Sequence, residues 1–257
     1  LRGAGDVLLY FLEHFTRIPV DRGRMVSQTA RLNAYKIDAY INKAVNAWQW
    51  LQREVIPLLP VIQRETSDGL FFQYINWRAT STDAVRRLDA GSGQIERSGP
   101  VRTTGGDVYN EVTVSYAPFA TSQRYRRRRV VTAKDGKMST DPVSGTDSRV
   151  SGSYLAQVSQ AQFGVRPLEV QSSAVWDDAT ASRIAQDKIA ELAIPKRAIA
   201  YTAGPELEGL EVGSVVLLND PEVAIIDEPA ILMDVVVGAG QSVALTLVVL
   251  DQQVRAP

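Results

Sequence analysis

Residues 154–220 hold one ordered succession of signals that few folds satisfy. The run opens with Tyr154-Leu155-Ala156-Gln157-Val158 and Phe163-Gly164-Val165-Arg166-Pro167. From Asp177 to Ala193, apolar residues recur at helical spacing. Ala181, Ile184, Ala185, Ile189 and Leu192 form the predicted buried stripe, with Asp177 or Asp178 as N-cap. A strand follows over 194–201, then a glycine-punctuated loop containing Leu207-Glu208-Gly209 and Leu210-Glu211-Val212-Gly213, then apolar Val215-Val216-Leu217. Glycine turn, strand, helix, strand, Leu-x-x-Gly turn and strand together predict an α+β chain. No step in the run has the look of catalysis.

Upstream, Val7, Leu8, Phe11, Leu12 and Phe15 share one face of a predicted helix over 5–16, which Pro19 and Asp21 stop. A short helix is expected over 22–32, strand-like chain over 36–41, and a further helix over 44–56. Val45, Trp48, Leu51, Val55 and Ile56 form its stripe, and Pro57 and Pro60 bracket its end. Two strands, 58–65 and 70–77, flank Thr66-Ser67-Asp68-Gly69, a good hairpin turn. Residues 79–105 read as a junction with strands near 85–89 and 94–102. Val112, Val114 and Tyr116 alternate with Glu111, Thr113 and Ser115 on a strand. Residues 134–152 are a long polar loop. Two long β runs, 222–237 and 241–251, turn at Gly238-Ala239-Gly240. They are too apolar to be wet on one face, so both faces should be covered. The expected organisation is a helix-and-hairpin domain (1–78), junction strands (79–107) and a mostly antiparallel β-barrel with one packed helix (108–257).

The 257 residues suffice for two domains or one large one. No apolar run reaches the roughly 20 residues that span a bilayer. The start, Leu1-Arg2-Gly3-Ala4, shows neither a signal-peptide pattern nor an initiator Met, and reads as part of a longer chain. With no cysteine, disulfides, thiolate nucleophiles and Cys-based zinc sites all drop out. With one histidine, His14, a His triad or His metal site would have to rest on that residue, which sits instead where a helix-end cation is expected. No G-x-S-x-G, H-E-x-x-H, P-loop or G-x-G-x-x-G occurs. Asp177/Asp178 cap a helix and Asp227/Glu228 sit in a turn, so neither pair reads as a glycosidase dyad. The acids of the 135–147 loop miss the calcium-loop spacing. The expectation is no catalytic residue, no metal and no cofactor.

Charge is unevenly spread. Residues 122–137 carry seven cations against one acid, whereas 200–257 carry one Arg against nine acids. Within the first segment, Arg124-Tyr125-Arg126-Arg127-Arg128-Arg129 fits three readings. These are a solvated edge strand guarded by charge, a surface for an acidic protein partner, and a nucleic-acid contact. Alternation puts Arg127 and Arg129 on one face with Tyr125. Trp50 falls off the buried stripe that takes Trp48 and Leu51. The candidate interface residues are therefore Trp50, Arg124, Tyr125, Arg127 and Arg129, and the acidic C-terminal third of a neighbouring copy is one conceivable partner.

Two segments carry a family resemblance. Ala4-Gly5-Asp6-Val7-Leu8, Leu32-Asn33-Ala34-Tyr35-Lys36-Ile37-Asp38 and Ala47-Trp48-Gln49-Trp50-Leu51 resemble the middle domain of phage tail-hub proteins. Tyr109-Asn110-Glu111-Val112-Thr113-Val114-Ser115-Tyr116, continuing into the 154–220 run, resembles their C-terminal barrel. The resemblance implies a baseplate or tail-tip hub subunit of a virion, assembled in the host cytoplasm. It implies a homotrimeric ring that joins the tail tube or a distal tail protein to a central spike or fibre. DNA would pass through that ring without specific binding. The N-terminal barrel of such hubs has no counterpart here. An alternative is a receptor- or carbohydrate-binding module of a tail tip. A cell-wall hydrolase is a third reading, against which the missing Cys and single His argue.

Overall fold

The computed structural model describes residues 2–38, 45–103, 106–119, 124–207, 209–238 and 242–250. Expected features at 39–44, 104–105, 239–241, Glu208 and 251 onward lie outside them.

β1 (Arg2–Gly3) pairs antiparallel with β2 (Lys36–Ile37) and frames two helices. α1 (Ala4–Phe15) buries Ala4, Gly5, Leu8 and Leu12. α2 (Arg22–Leu32) is capped by Asp21, which accepts from the Arg24 amide at 3.1 Å. The helices approach closely at Gly5, where a Cβ would lie 2.8 Å from the Thr29 Cα. The expected 44–56 helix changes its winding. An α turn, α3 (Ala47–Trp50), is capped by Asn46. A π turn (Leu51–Val55) and a 3-10 turn (Ile56–Leu58) follow. Pro57 has no amide to donate, which accounts for the loss of α winding before it. β3 (Val61–Thr66) and β4 (Gly69–Tyr74) form the predicted hairpin.

A 3-10 turn (Ser81–Asp83) closed by a capping box with Thr80 leads into β5 (Arg86–Asp89), β6 (Ile95–Arg97) and β7 (Arg102–Thr103). Next come β8 (Glu111–Pro118), β9 (Tyr125–Thr132), β10 (Ser139–Thr140) and β11 (Asp147–Gly152). α4 (Tyr154–Phe163), β12 (Pro167–Gln171) and α5 (Asp178–Leu192) complete that stretch. α5 starts at the predicted cap: Asp177 accepts from the Thr180 amide at 2.8 Å. The chain ends in β13 (Arg197–Ala203), β14 (Val215–Asp220), β15 (Ile225–Val237) and β16 (Val243–Val249).

The architecture is α+β, but its compact units do not follow chain order. One unit combines 1–74 with 108–193; the other combines 75–107 with 194–257. The expected helix-and-hairpin domain thus shares a unit with part of the expected barrel. The strands of 108–257 fall in two sheets rather than one.

In the first unit the sheet order is β10-β11-β9-β8-β12. β8 and β9 are antiparallel, whereas β11 runs parallel to β9 and β12 parallel to β8. α5 packs on β8 and β9, burying Ala181, Ile184, Ala185 and Ile189. Leu192 of the predicted stripe is half-buried, and Thr180, Asp187 and Ala190 complete the buried face.

In the second unit a curled sheet runs β5-β14-β15-β16-β13-β6, with β7 also on β13. The junction strands complete this sheet. Leu88 of β5 and Ile95 of β6 enter the same core as Tyr201, Val216, Leu232 and Leu247. On the opposite face the row Val215, Ile231 and Val248 is also buried, and the Ser81–Asp83 turn packs on β14 and β15. Both faces are therefore covered over the middle of the apolar strands, while Val236 and Val237 at the tip are exposed. Leu232→Ala is expected to cost about 3 kcal/mol in urea unfolding, the usual range for a fully buried leucine.

Candidate interaction surfaces

The arginine strand is not an edge. β9 is hydrogen-bonded to β8 on one side and β11 on the other, so the reading of a solvated edge strand does not hold. An interior strand tolerates this much charge because acids from elsewhere meet it. Arg129 and Arg149 are register neighbours, and like charges there would repel. Asp178 bridges them, 3.8 Å from Arg129 and 3.2 Å from Arg149. The same carboxylate accepts the Tyr116 hydroxyl at 2.6 Å. As the first residue of α5 it also meets the positive end of the helix dipole. Burial and the bond to Asp178 push the Tyr116 hydroxyl pKa up. Asp178→Ala should lower stability by about 1–2 kcal/mol, a figure reduced because the site is partly solvated. Thermal unfolding against Arg126→Ala, expected to be near neutral, checks it.

Burial alone would raise the pKa of neighbouring Asp177. Bonds from the Thr180 side chain, the Thr180 amide and the Ala179 amide outweigh it and hold the carboxyl below the ordinary value of 3.8. A depressed folded pKa makes the stabilisation complete above the unfolded value. It is lost as pH falls through the folded value. Asp177→Ala is expected to cost about 1 kcal/mol at pH 7 and less than that in acid, measured by urea unfolding at both pH values.

Of the predicted face, Arg127 and Arg129 keep a common side, two positions apart on β9, and Tyr125 lines a cavity with other residues. Arg127 lies opposite Tyr116, on the side that reaches Asp178. Tyr125 lines a cavity of about 360 Å³ on the other side, together with Arg124 and Arg128. Beside this end of β9, Ala117 of β8 has φ 53°. Ser115 and Glu169 form one wall, 3.4 Å apart, and Gln171 donates to Glu169 at 3.3 Å.

The polar 134–152 segment supplies the opposite wall. It contains β10 and β11, and a turn in which Asp141 accepts from the Val143 amide at 2.9 Å and Ser144 Oγ at 2.6 Å. Those bonds, Ser144 first, hold the Asp141 carboxyl below the usual range. Thr146 Oγ1 donates to the Tyr125 carbonyl at 2.8 Å. Asp135 and Asp147 accept from the Gly152 amide and Thr140 in separate places. Among the described residues, no group of three or more His, Cys, Asp or Glu side chains could hold a metal ion.

Trp50 is half-buried and stacks on Phe11 with ring centres 5.0 Å apart. Phe11 packs on Phe15 at 5.3 Å, and Tyr10 stacks on His14 at 4.5 Å. His14 Nδ1 lies 3.0 Å from the Tyr10 carbonyl, a hydrogen-bonded helix-end residue as expected. Of this cluster Phe15 and Tyr10 are exposed, 58% and 43% accessible, while Tyr154 and Trp176 are exposed elsewhere. Periodicity assigned Phe15 to the buried face, but Leu8 and Leu12 fill that face, and Phe15 lies at the helix end beyond it. Trp48 stacks on buried Phe72 at 6.4 Å.

Three acids of the C-terminal region, Asp220, Glu222 and Asp227, are matched within their own unit. Arg87 meets Asp227 at 2.7 Å, and Arg97 meets Glu222 at 2.9 Å and Asp220 at 3.5 Å. Tyr201 donates to buried Asp220 at 2.8 Å. A count over 200–257 misses the arginines that 75–107 brings to the same sheet.

These features define an α+β protein whose exposed aromatics and arginine-lined cavity are suited to contact. Residues 148–228 match the family described as putative phage tail protein. That segment contains the 154–220 run, so the family match and the resemblance read from the sequence fall on the same residues. Over that segment the chain thus resembles phage tail proteins.

No curated protein matches the chain. Solved structures similar to it include a chain of the virion of a native gene transfer agent particle, at 13% identity and TM-score 0.43, covering 91% of this chain and 47% of that one. The tail protein from Neisseria meningitidis MC58 has 16% identity and TM-score 0.43, covering 83% and 57%. The 43 kDa tail protein of prophage MuSo2 from Shewanella oneidensis has 13% identity and TM-score 0.42, covering 91% and 66%. The chain therefore spans about half to two thirds of these proteins. Among the described residues, no helix is long and apolar enough to cross a membrane.

Proposed function

We propose that this chain is a structural subunit of a phage or phage-like tail, placed at the tail tip or baseplate hub. The observation that carries this reading is the family match over 148–228, which runs from β11 to the start of β15. In this reading the subunit is non-enzymatic and works by assembly. Three copies form a ring that joins the tail tube or a distal tail protein to the central spike or fibre, and DNA passes through without specific contacts. The exposed aromatics Tyr10 and Phe15, backed by Trp50, are its contact patch on the first unit. Aromatic anchors of this kind dominate interface energies. Light scattering over a range of concentration and salt tests the ring. A trimer supports it, and a strict monomer at all concentrations contradicts it. Phe15→Glu should weaken the trimer about tenfold or more, and unchanged association removes the patch from the interface.

A further inference from the structure

We infer that the aromatic contact patch on α1 is proton-sensitive: copies of the chain associate through it while His14 is neutral and separate as that ring takes up a proton. The inference names a regulation of the contact set out under the proposed function, and it rests on that reading. His14 is the single histidine among 257 residues, and imidazole is the side chain whose charge ordinarily changes between roughly pH 5 and 8. It stands inside the patch. Its ring stacks on Tyr10 with centres 4.5 Å apart and planes at 27°, and Tyr10 meets Phe15 edge-on at 5.7 Å. Nδ1 lies 3.0 Å from the Tyr10 carbonyl, which can only accept, so Nδ1 carries the proton of the neutral ring. The second proton therefore enters at Nε2, on an exposed side chain. The free subunit tolerates that charge. It is solvated, it sits in the last turn of α1, where the helix dipole favours a cation, and it rests on the Tyr10 ring. A closed aromatic contact removes the solvent, and an unpaired cation is costly there.

No carboxylate of the surrounding elements offsets that cost. Among the described residues His14 forms no ion pair. Its neighbour Glu13 is held by Arg22 of α2 at 3.1 Å. Asp6, at the other end of α1, accepts from Asn33 at 3.0 Å. α3 carries no charge, and Glu54 in the π turn after it accepts from Ser173 at 2.9 Å. The other charges on the elements against α1 are cations, which add like charge. These are Arg2 of β1, Lys36 of β2, Arg53 of the π turn, and Arg24 and Arg31 of α2, which lie over Phe71 and Tyr74. Arg17, just past the helix, is a cation as well.

The test is light scattering of the full chain at pH 7.5 and pH 5.5, at one ionic strength, for wild type, His14→Gln and Phe15→Glu. Wild type is expected to associate about tenfold more weakly per contact at pH 5.5. That is the limit for one imidazole that is protonated in the free subunit and neutral in the contact. His14→Gln alters an exposed side chain, so it should keep the wild-type Tm. It should also associate equally at both pH values, because ordinary aspartates and glutamates stay ionised over this range. Equal association of wild type at the two pH values, tighter association at pH 5.5, or a pH dependence that persists in His14→Gln overturns the inference and leaves the assembly reading intact. No association of wild type at pH 7.5, or full association of Phe15→Glu, removes that reading's ring or its patch, and the inference with it.

Discussion

Gly69→Ala is expected to lower the unfolding free energy by about 3 kcal/mol, with Tm falling by roughly 10 °C. Gly69 opens β4 at φ 128°, a region that residues with a Cβ rarely enter. A Cβ there would lie 2.5 Å from both the carbonyl carbon and oxygen of Pro19. Those atoms are backbone and cannot swing aside. The contact is also a point of assembly. The Leu70 amide donates to Pro19 at 2.8 Å, the Asp21 amide donates to Leu70 at 3.0 Å, and Thr66 Oγ1 donates to Asp21 at 2.9 Å. Asp21 in turn caps α2, so a shift at Gly69 disturbs hairpin and helix together. Ser67→Ala, an exposed change in the same turn, should stay within about 0.5 kcal/mol. Urea unfolding of both variants decides it, and equal midpoints would remove Gly69 from this role.

Tyr35→Phe is expected to cost about 2–3 kcal/mol at pH 7, because it leaves the buried carboxylate of Asp187 without the phenol that donates to it. Tyr35 and Asp187 lie 152 positions apart, so this bond ties the helical N-terminal stretch to α5 within one unit. Burial first, and then Asp187, push the pKa of the Tyr35 hydroxyl above its ordinary value of 10.0. Burial and carboxylate partners likewise raise Tyr116 and Tyr201. A raised folded pKa gives stability that is complete below the unfolded value and lost as pH rises beyond it. Wild-type protein should therefore hold its stability up to about pH 10 and lose it steeply above, by about 1.4 kcal/mol per pH unit for each such tyrosine. Tyr35→Phe should start less stable and decline less steeply. Parallel slopes for the two proteins would show that Tyr35 is not one of the groups responsible.

Much of the fold was legible wherever one short stretch carried the whole signal. The Asp177 cap with its alanine-rich stripe, the Thr66–Gly69 turn and the two long apolar strands all formed as the residues suggested. Elements whose partners lie far away were not legible. α4 buries only Ala156 and Ser159, so it shows no apolar stripe. Its specificity lies in polar contacts such as Ser159 to the Ala193 carbonyl and Asn110 to Ser159. β11 is a polar strand within a polar segment, ordered by its parallel pairing with β9. An edge was one of three readings left open for the arginine strand because Asp178, which makes an interior position tolerable, lies about fifty residues on. The interleaving of the units was hidden for a related reason. The β5 and β6 strands show little periodicity of their own and acquire a face only against β14 and β13.

The central claim, that this chain is a structural part of a tail tip, is tested most directly by immunogold electron microscopy. The antibody should be raised against residues 2–38, and the particles should be those released by the host that encodes the chain. Gold at the distal end of the tail on most particles is the predicted result. Gold on the head or along the tail shaft, or particles that lack the chain altogether, would contradict it.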